Sequence, residues 1–239
     1  MNEDLLTISE AAQFLRVSID TLRRWDKRGK LTAIRKNGGT HRYYAKKDLE
    51  LFASDLLQTA HVWASSGGEI PERLYCSNSA TFQARLIQLQ DLLLRDDHTK
   101  HTFSLIVSTA GEIGNNSFDH NLGQWPDVPG IFFGYDVARR IVVLADRGIG
   151  ILQTLSRVRP ELQSHQAALK VAFTEKVSGR APEARGNGLK YVREVILENA
   201  IDLYFQSGDA QLRLKGKSPE LRITRSAEKI RGCLASITF

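Results

Sequence analysis

Three short segments, each suited to a different kind of element, limit what residues 80–239 can fold into. The first, residues 109–121, carries Glu112, Asn116 and His120 at four-residue intervals, so a helix would set all three on one stripe. The second is Ile141-Val142-Val143-Leu144, an apolar and β-branched run that reads as a buried strand, with Asp146, Gly148 and Gly150 following at its end. The third, Gly186-Asn187-Gly188, opens a run with apolar residues at 189, 192, 195 and 196, the spacing of a helix. Three later strand-like runs, at 201–206, 211–215 and 233–239, with a fourth at 221–224, add to the 130–137 and 140–145 hairpin. Together they predict an α+β domain, a mixed and mainly antiparallel sheet covered by helices.

Each segment has a chemistry of its own. A carboxylate and an amide oxygen side by side, Glu112 and Asn116, suit a hard cation such as Mg²⁺ with its water shell. Glu112 is also placed to polarise a water. The acceptor-only carboxylate of Asp146 can take a hydrogen bond from an exocyclic amine such as that of adenine. Gly148 and Gly150 let the backbone turn tightly or approach a flat ligand. Free amides at the helix start attract phosphate, and Arg185 and Lys190 add positive charge beside them. Each piece alone has a plainer reading: a polar helix face, an ordinary Asp-Gly turn, a glycine-rich loop.

In this order the three resemble the GHKL, or Bergerat, family of ATP-binding domains. The family's first box corresponds to Glu112, Asn116 and His120. Its Asp-x-Gly-x-Gly box corresponds to Asp146, Gly148 and Gly150, and its Gly-x-Gly-Leu box to Gly186, Gly188 and Leu189. The resemblance covers roughly residues 80–239. It implies ATP bound with Mg²⁺: Asn116 and Glu112 at the metal, Asp146 on the adenine, and Arg185, Gly186, Asn187, Gly188, Leu189 and Lys190 around the phosphates. It also implies that residues 153–185 form a mobile lid over the phosphates, with Lys176, Arg180 and Arg185 as basic candidates, and a late glycine, Gly232, before the last strand. Lys190 follows Leu189 where many members have glycine, which makes this loop more basic than usual.

The positive charge lies elsewhere. Residues 16–47 hold 11 Lys and Arg against two acids, a net of +9, whereas the whole chain nets +6, so the remainder is −3. Thr7-Ile8-Ser9-Glu10 is a capping box opening a helix through Leu15. Ser18 caps a second helix from Ile19 to about Lys27, which is helix-turn-helix spacing. Leu22 and Trp25 face inward. Residues 31–34 and 41–44 read as two strands of a basic hairpin around 36–40, and Asp48-Leu49 begins a closing helix. The motifs Ser9-Glu10-Ala11-Ala12, Thr21-Leu22-Arg23-Arg24-Trp25 and Gly38-Gly39-Thr40-His41-Arg42-Tyr43-Tyr44 resemble the MerR and excisionase class of winged helix-turn-helix domains. That resemblance implies the second helix in the major groove and the hairpin on the backbone. The contacting residues would be Thr21, Arg23, Arg24, Lys27, Arg35, Lys36, His41 and Arg42. A basic surface that docks a protein instead is the plainer alternative.

The expected organisation is therefore a DNA-binding domain over 1–60, a linker over 61–79 containing Ser65-Ser66-Gly67-Gly68, and an ATP-binding domain over 80–239. Cys76 and Cys233 match no metal or redox spacing. The absence of a long apolar run and of a signal-peptide pattern predicts a cytoplasmic protein. Two functions fit: a homodimeric DNA-binding regulator switched by Mg-ATP, or an ATPase or anti-sigma-type serine/threonine kinase that its first domain places on DNA. In the second, Glu112 is the general base.

Overall fold

The computed structural model describes residues 5–15, 17–27, 31–35, 39–46, 48–49, 56–176 and 188–239. The chain divides into two compact units, Met1–Thr59 and Ala60–Phe239.

The first unit holds β1 (Leu5–Thr7), α1 (Ile8–Leu15), α2 (Ile19–Lys27) and β2 (Tyr43–Ala45). The expected capping box is formed: the Thr7 amide donates to Glu10 at 2.7 Å and the Glu10 amide to Thr7 Oγ1 at 3.3 Å. Ser18 accepts from the Thr21 amide at 3.1 Å and so starts α2. Strand β1 pairs antiparallel with β2, and Ile34 bridges Tyr43. Ala11, Leu22, Leu31, Ala33, Tyr44 and Leu49 form the core, with Trp25 packed against it. The strand expected over 31–34 is reduced to that single bridge at Ile34. The reason is local: the Ala33 amide donates to the Asp26 carboxylate at 2.9 Å, so it does not join a ladder.

The second unit is built on one sheet of seven strands. In chain order these are β3 (Tyr75–Cys76), β4 (Ile131–Asp136), β5 (Ile141–Asp146), β6 (Asp202–Ser207), β7 (Ala210–Leu214), β8 (Arg222–Arg225) and β9 (Cys233–Thr238). Their spatial order is β3-β4-β5-β9-β6-β7-β8, and each neighbouring pair is antiparallel. The helices are α3 (Leu56–Ser66), α4 (Ser79–Arg95), α5 (Phe103–Asn121), α6 (Gly150–Leu155), α7 (His165–Thr174) and α8 (Gly188–Glu198). Side chains of α4, α5, α7 and α8 pack on one sheet face through Phe82, Leu89, Ile106, Phe173 and Val192. A Cβ on Gly114 would meet the Phe82 ring at 2.2 Å, so the glycine is what allows α4 this close to α5. Val142 and Leu144 belong to that core, while Val143 and Ala145, pointing the other way, are buried as well. Strand β5 is thus covered on both faces, as its unbroken apolar run requires.

Two expectations are corrected here. Residues 61–79 are not a bare linker: they hold most of α3, a 3₁₀ turn at Glu72–Leu74, and β3 on the sheet edge. Trp63 packs on Phe132 of β4 at 6.4 Å between ring centroids. Ser65-Ser66-Gly67 is the end of a helix, in which Gly67 has φ +79° and its amide donates to the Trp63 carbonyl at 2.9 Å. Nor is the whole of 153–185 a lid, since Leu169 and Phe173 of α7 are fully buried and Phe173 meets Phe205 edge-on at 5.3 Å. Of the basic lid candidates, Lys176 is exposed, and Arg180 and Arg185 lie outside the described residues.

Candidate functional site

Asp146 ends β5 with its carboxylate 2% exposed. Ser117 of α5 donates to Oδ2 at 2.8 Å, and the Gly148 amide donates to Oδ1 at 2.8 Å. Burial pushes its pKa up to about 6, against the opposing pull of the Gly148 amide, Ser117 and the Cys233 amide. A buried carboxylate with acceptor capacity left over is a group that gains from a further donor.

The turn after Asp146 is clamped by side chains that sequence reasoning did not single out. Asn121 Oδ1 accepts from the Ile149 amide at 2.8 Å, and its Nδ2 donates to the Ser117 carbonyl at 2.7 Å. A Cβ on Gly148 would come within 2.1 Å of that Asn121 amide. Ser207 Oγ accepts from the Ile151 amide and donates to the Gly232 carbonyl, each at 3.0 Å. Gly232 has φ +67°, and a Cβ there would lie 2.3 Å from both the Asp146 carbonyl and its Oδ1. Ser117 and Asn121 were in principle visible, four residues apart on a stripe one step round α5 from Asn116 and His120.

The other expected residues gather at the same place. Gly188 starts α8 so close to α5 that a Cβ would lie 2.6 Å from Glu112 Oε2 and 3.0 Å from Asn116 Nδ2. Asn116, His120, Asp146, Gly150 and Leu189 line one cavity, with Phe205 on its wall. Glu112 stands at the Gly188 end. Lys190 is half-buried on the first turn of α8, while Arg185, Gly186 and Asn187 lie outside the described residues. The cavity measures about 30 Å³, room for a water or two. A pocket for a drug-sized ligand is roughly 300–1,000 Å³, so a purine enters only if the walls part. Among the described residues no cluster of three or more His, Cys, Asp or Glu could hold a metal unaided. Glu112 and Asn116 fit a Mg²⁺ that takes its remaining ligands from phosphate and water.

Arg147, the residue beside Asp146, is turned to a different partner. Its Nη1 donates to the Trp63 and Ala64 carbonyls at 2.6 and 3.1 Å, and its Nε and Nη2 donate to Asp127 Oδ2 at 3.1 and 2.6 Å. Arg231 reaches the same carboxylate oxygen at 3.0 Å. Burial works to raise the Asp127 pKa, but the hydrogen bond from Arg147 and the charges of Arg147 and Arg231 hold it below the usual range. The Trp63 and Ala64 carbonyls in the last turn of α3, which also accept from the Gly67 and Arg231 amides, thus take a further bond from the residue next to Asp146.

In the first unit Arg24, Lys27 and His41 are exposed, and Arg23 is exposed while pairing with Asp20 at 2.9 Å. Thr21 shares a hydrogen bond of 2.9 Å with Ser18 in the helix cap. Arg35 and Arg42 are tied back: both donate to Asp26 Oδ2, at 2.6 and 2.7 Å. Burial opposes ionisation of Asp26, but the Ala33 amide, Arg42 and Arg35 together hold its pKa low. The two arginines therefore fasten the hairpin to α2, with part of each guanidinium left outward. Lys36 lies outside the described residues.

Residues 7–44 match the family model of the MerR family regulatory proteins. The match runs from the capping residue Thr7 to Tyr44 of β2, so it spans the helix pair and the hairpin. This MerR-type segment supports a DNA-binding regulator. No curated protein matches the chain. Among the described residues no helix is long and apolar enough to cross a membrane.

Proposed function

We propose that the chain is a DNA-binding regulator whose second unit binds ATP with Mg²⁺ in a GHKL-like pocket and thereby alters how the MerR-type segment, as a homodimer, engages DNA. The observation that carries this reading is the meeting of Asp146, Asn116 and Gly188, residues 30 to 72 positions apart in the chain, around one face of α5. Asp146 would accept from the adenine amine, Asn116 and Glu112 would hold the metal, and the start of α8 with Lys190 would face the phosphates. Bound Mg²⁺ would neutralise phosphate charge.

Coupling has a physical candidate in the adjacent pair Asp146-Arg147. A ligand that draws Asp146 toward it must also bias the grip of Arg147 on α3, the helix by which the chain enters the second unit. Such a ligand shifts DNA binding only to the extent that it prefers one state, and DNA must change ATP affinity by the same factor. The deciding experiment is a DNA-binding isotherm with and without Mg-ATP, repeated with Asp146→Asn and Asn116→Ala. A nucleotide-dependent change in affinity that both variants lose supports the reading, and identical isotherms for the parent protein reject it. The catalytic alternative rests on Glu112 at the Gly188 end. Phosphate release that Glu112→Ala abolishes while ATP binding persists would favour it.

A further inference from the structure

The second unit has a larger opening, on the side of the Gly148–Gly150 turn lined by Lys229 and Arg231 rather than by Asn116 and Asp146. It is a cleft of about 770 Å³ that shares only Gly150 with the Asp146 cavity among its described lining residues. Its size lies within the range of roughly 300–1,000 Å³ usual for small-molecule sites. Ile149, Leu152, Leu162 and Ile230 give it apolar walls, while Lys229 and Arg231 bring two cations to it. No carboxylate is among its described lining residues. Arg231 shares Asp127 with Arg147, so the trio keeps one net positive charge, while Asp209 pairs with Arg225 at 3.2 Å and exposed Glu228 lies 3.5 Å from His61 Nδ1.

His165, also on the wall, supplies a second and independent observation. Its Nδ1 is buried and has no hydrogen-bond partner in the protein. Burial lowers the pKa of this imidazole, Lys229 lowers it further and Asp209 opposes them, so the ring is neutral near pH 7. A buried ring nitrogen without a partner is a cost to the fold, which a ligand atom that reaches it as the wall shifts would relieve. The ring packs against Gly208, where an added Cβ would meet it at 2.3 Å.

We propose that this cleft is a binding site for a small organic anion, one carboxylate or phosphate group on a flat apolar body. The anionic group sits between Lys229 and Arg231, the body lies on Ile149, Leu152 and Leu162, and a polar atom meets His165. The segment that supplies Lys229 and Arg231 continues into Gly232, which is pressed against Asp146. A ligand held there therefore stiffens the Asp146 turn, although the site itself stands without the nucleotide reading.

Titration calorimetry on the full chain, with phenyl phosphate and with benzoate as separate probes, tests this. Saturable one-to-one binding with a Kd at or below about 1 mM is expected for at least one of them. Preference for the first probe assigns a phosphate ester, preference for the second a carboxylate. Lys229→Glu, at an exposed position, should weaken binding at least about tenfold with an unchanged unfolding midpoint. Ser156→Trp should block the cleft sterically, and Asn116→Ala, which lines only the other cavity, should leave affinity for the probe unaltered. Absence of saturable binding for both probes overturns the proposal. So does binding that survives Lys229→Glu and Ser156→Trp.

Discussion

A carboxyl group that titrates near pH 6 inside a protein couples its ligand to protons. Asp146 does so because burial raises its pKa from 3.8 to about 6. The folded chain then holds more protons than the unfolded chain between those two values. Stability from this group is present below the unfolded pKa and is lost as pH rises through about 6, by about 3 kcal/mol in all. Asp146→Asn should flatten that decline in a series of denaturant titrations between pH 4 and 7, and a slope equal to the parent's would show that Asp146 is not its source. A donor such as an adenine amine favours the ionised form. ATP affinity should therefore fall as pH drops through about 6 in the parent protein, once the nucleotide's own titration is subtracted. Gly232→Ala makes a steric test of the same place: with φ +67° and a Cβ position 2.3 Å from the Asp146 carbonyl, it should cost on the order of 2–4 kcal/mol in chemical unfolding. Asn116 was legible because helical spacing aligns it with Glu112 and His120, and Asp146 because it ends an apolar run that two glycines follow. Ser207 was not, because its bond to the Ile151 amide joins positions 56 residues apart, and β9, paired with both β5 and β6, brings the two together.

At the scale of elements the instructive case is α3. Its sequence hides a packing stripe, Ala60, Trp63 and Ala64, in front of a Ser-Ser-Gly-Gly run that reads as a linker but acts as a helix stop. The strands of the second unit other than β3 were legible from their apolar runs, and α5 and α8 from their periodicity, since each signal lies within one element. What closes α3 is remote. Arg147 and Arg231 sit more than eighty residues downstream, and no periodicity within 56–66 points to them. The cap predicts its own energetics. Arg147→Gln removes two bonds to α3 carbonyls and leaves Asp127 with Arg231 as its one remaining cation beside the Val128 amide, so it should destabilise the second unit by about 2–4 kcal/mol. Arg147→Lys should recover little of that, since an ammonium cannot reproduce the forked contact with the two carbonyls and the carboxylate. Equal unfolding midpoints for the parent protein and Arg147→Gln would contradict the assignment.

For the molecule as a whole, the first unit carries the charge that a polyanion would meet, and the structure sorts its cations into two kinds. Arg23, Arg24 and Lys27 project from the exposed side of α2, whereas Arg35 and Arg42 already neutralise Asp26. Release of counterions from DNA counts only charges that reach phosphate, and each contact contributes a slope of about −0.9 to the logarithm of affinity against the logarithm of salt. Arg24→Ala and Lys27→Ala should therefore each reduce the magnitude of that slope by about one if they contact phosphate, with affinity falling similarly on unrelated sequences. Arg35→Ala should behave differently, leaving the slope nearly unchanged while lowering affinity through a looser hairpin, and Asp26→Asn should loosen the hairpin in the same way although it removes a negative charge. The Asp26 variant discriminates best. Simple charge counting predicts tighter binding when an acid is removed from a basic surface. The observed geometry predicts weaker binding, because the carboxylate that fixes Arg35, Arg42 and the Ala33 amide is gone. A fluorescence-anisotropy titration of Asp26→Asn against the parent protein at two salt concentrations separates the two, and tighter binding by the variant would mean that Asp26 merely offsets charge on the DNA-facing surface.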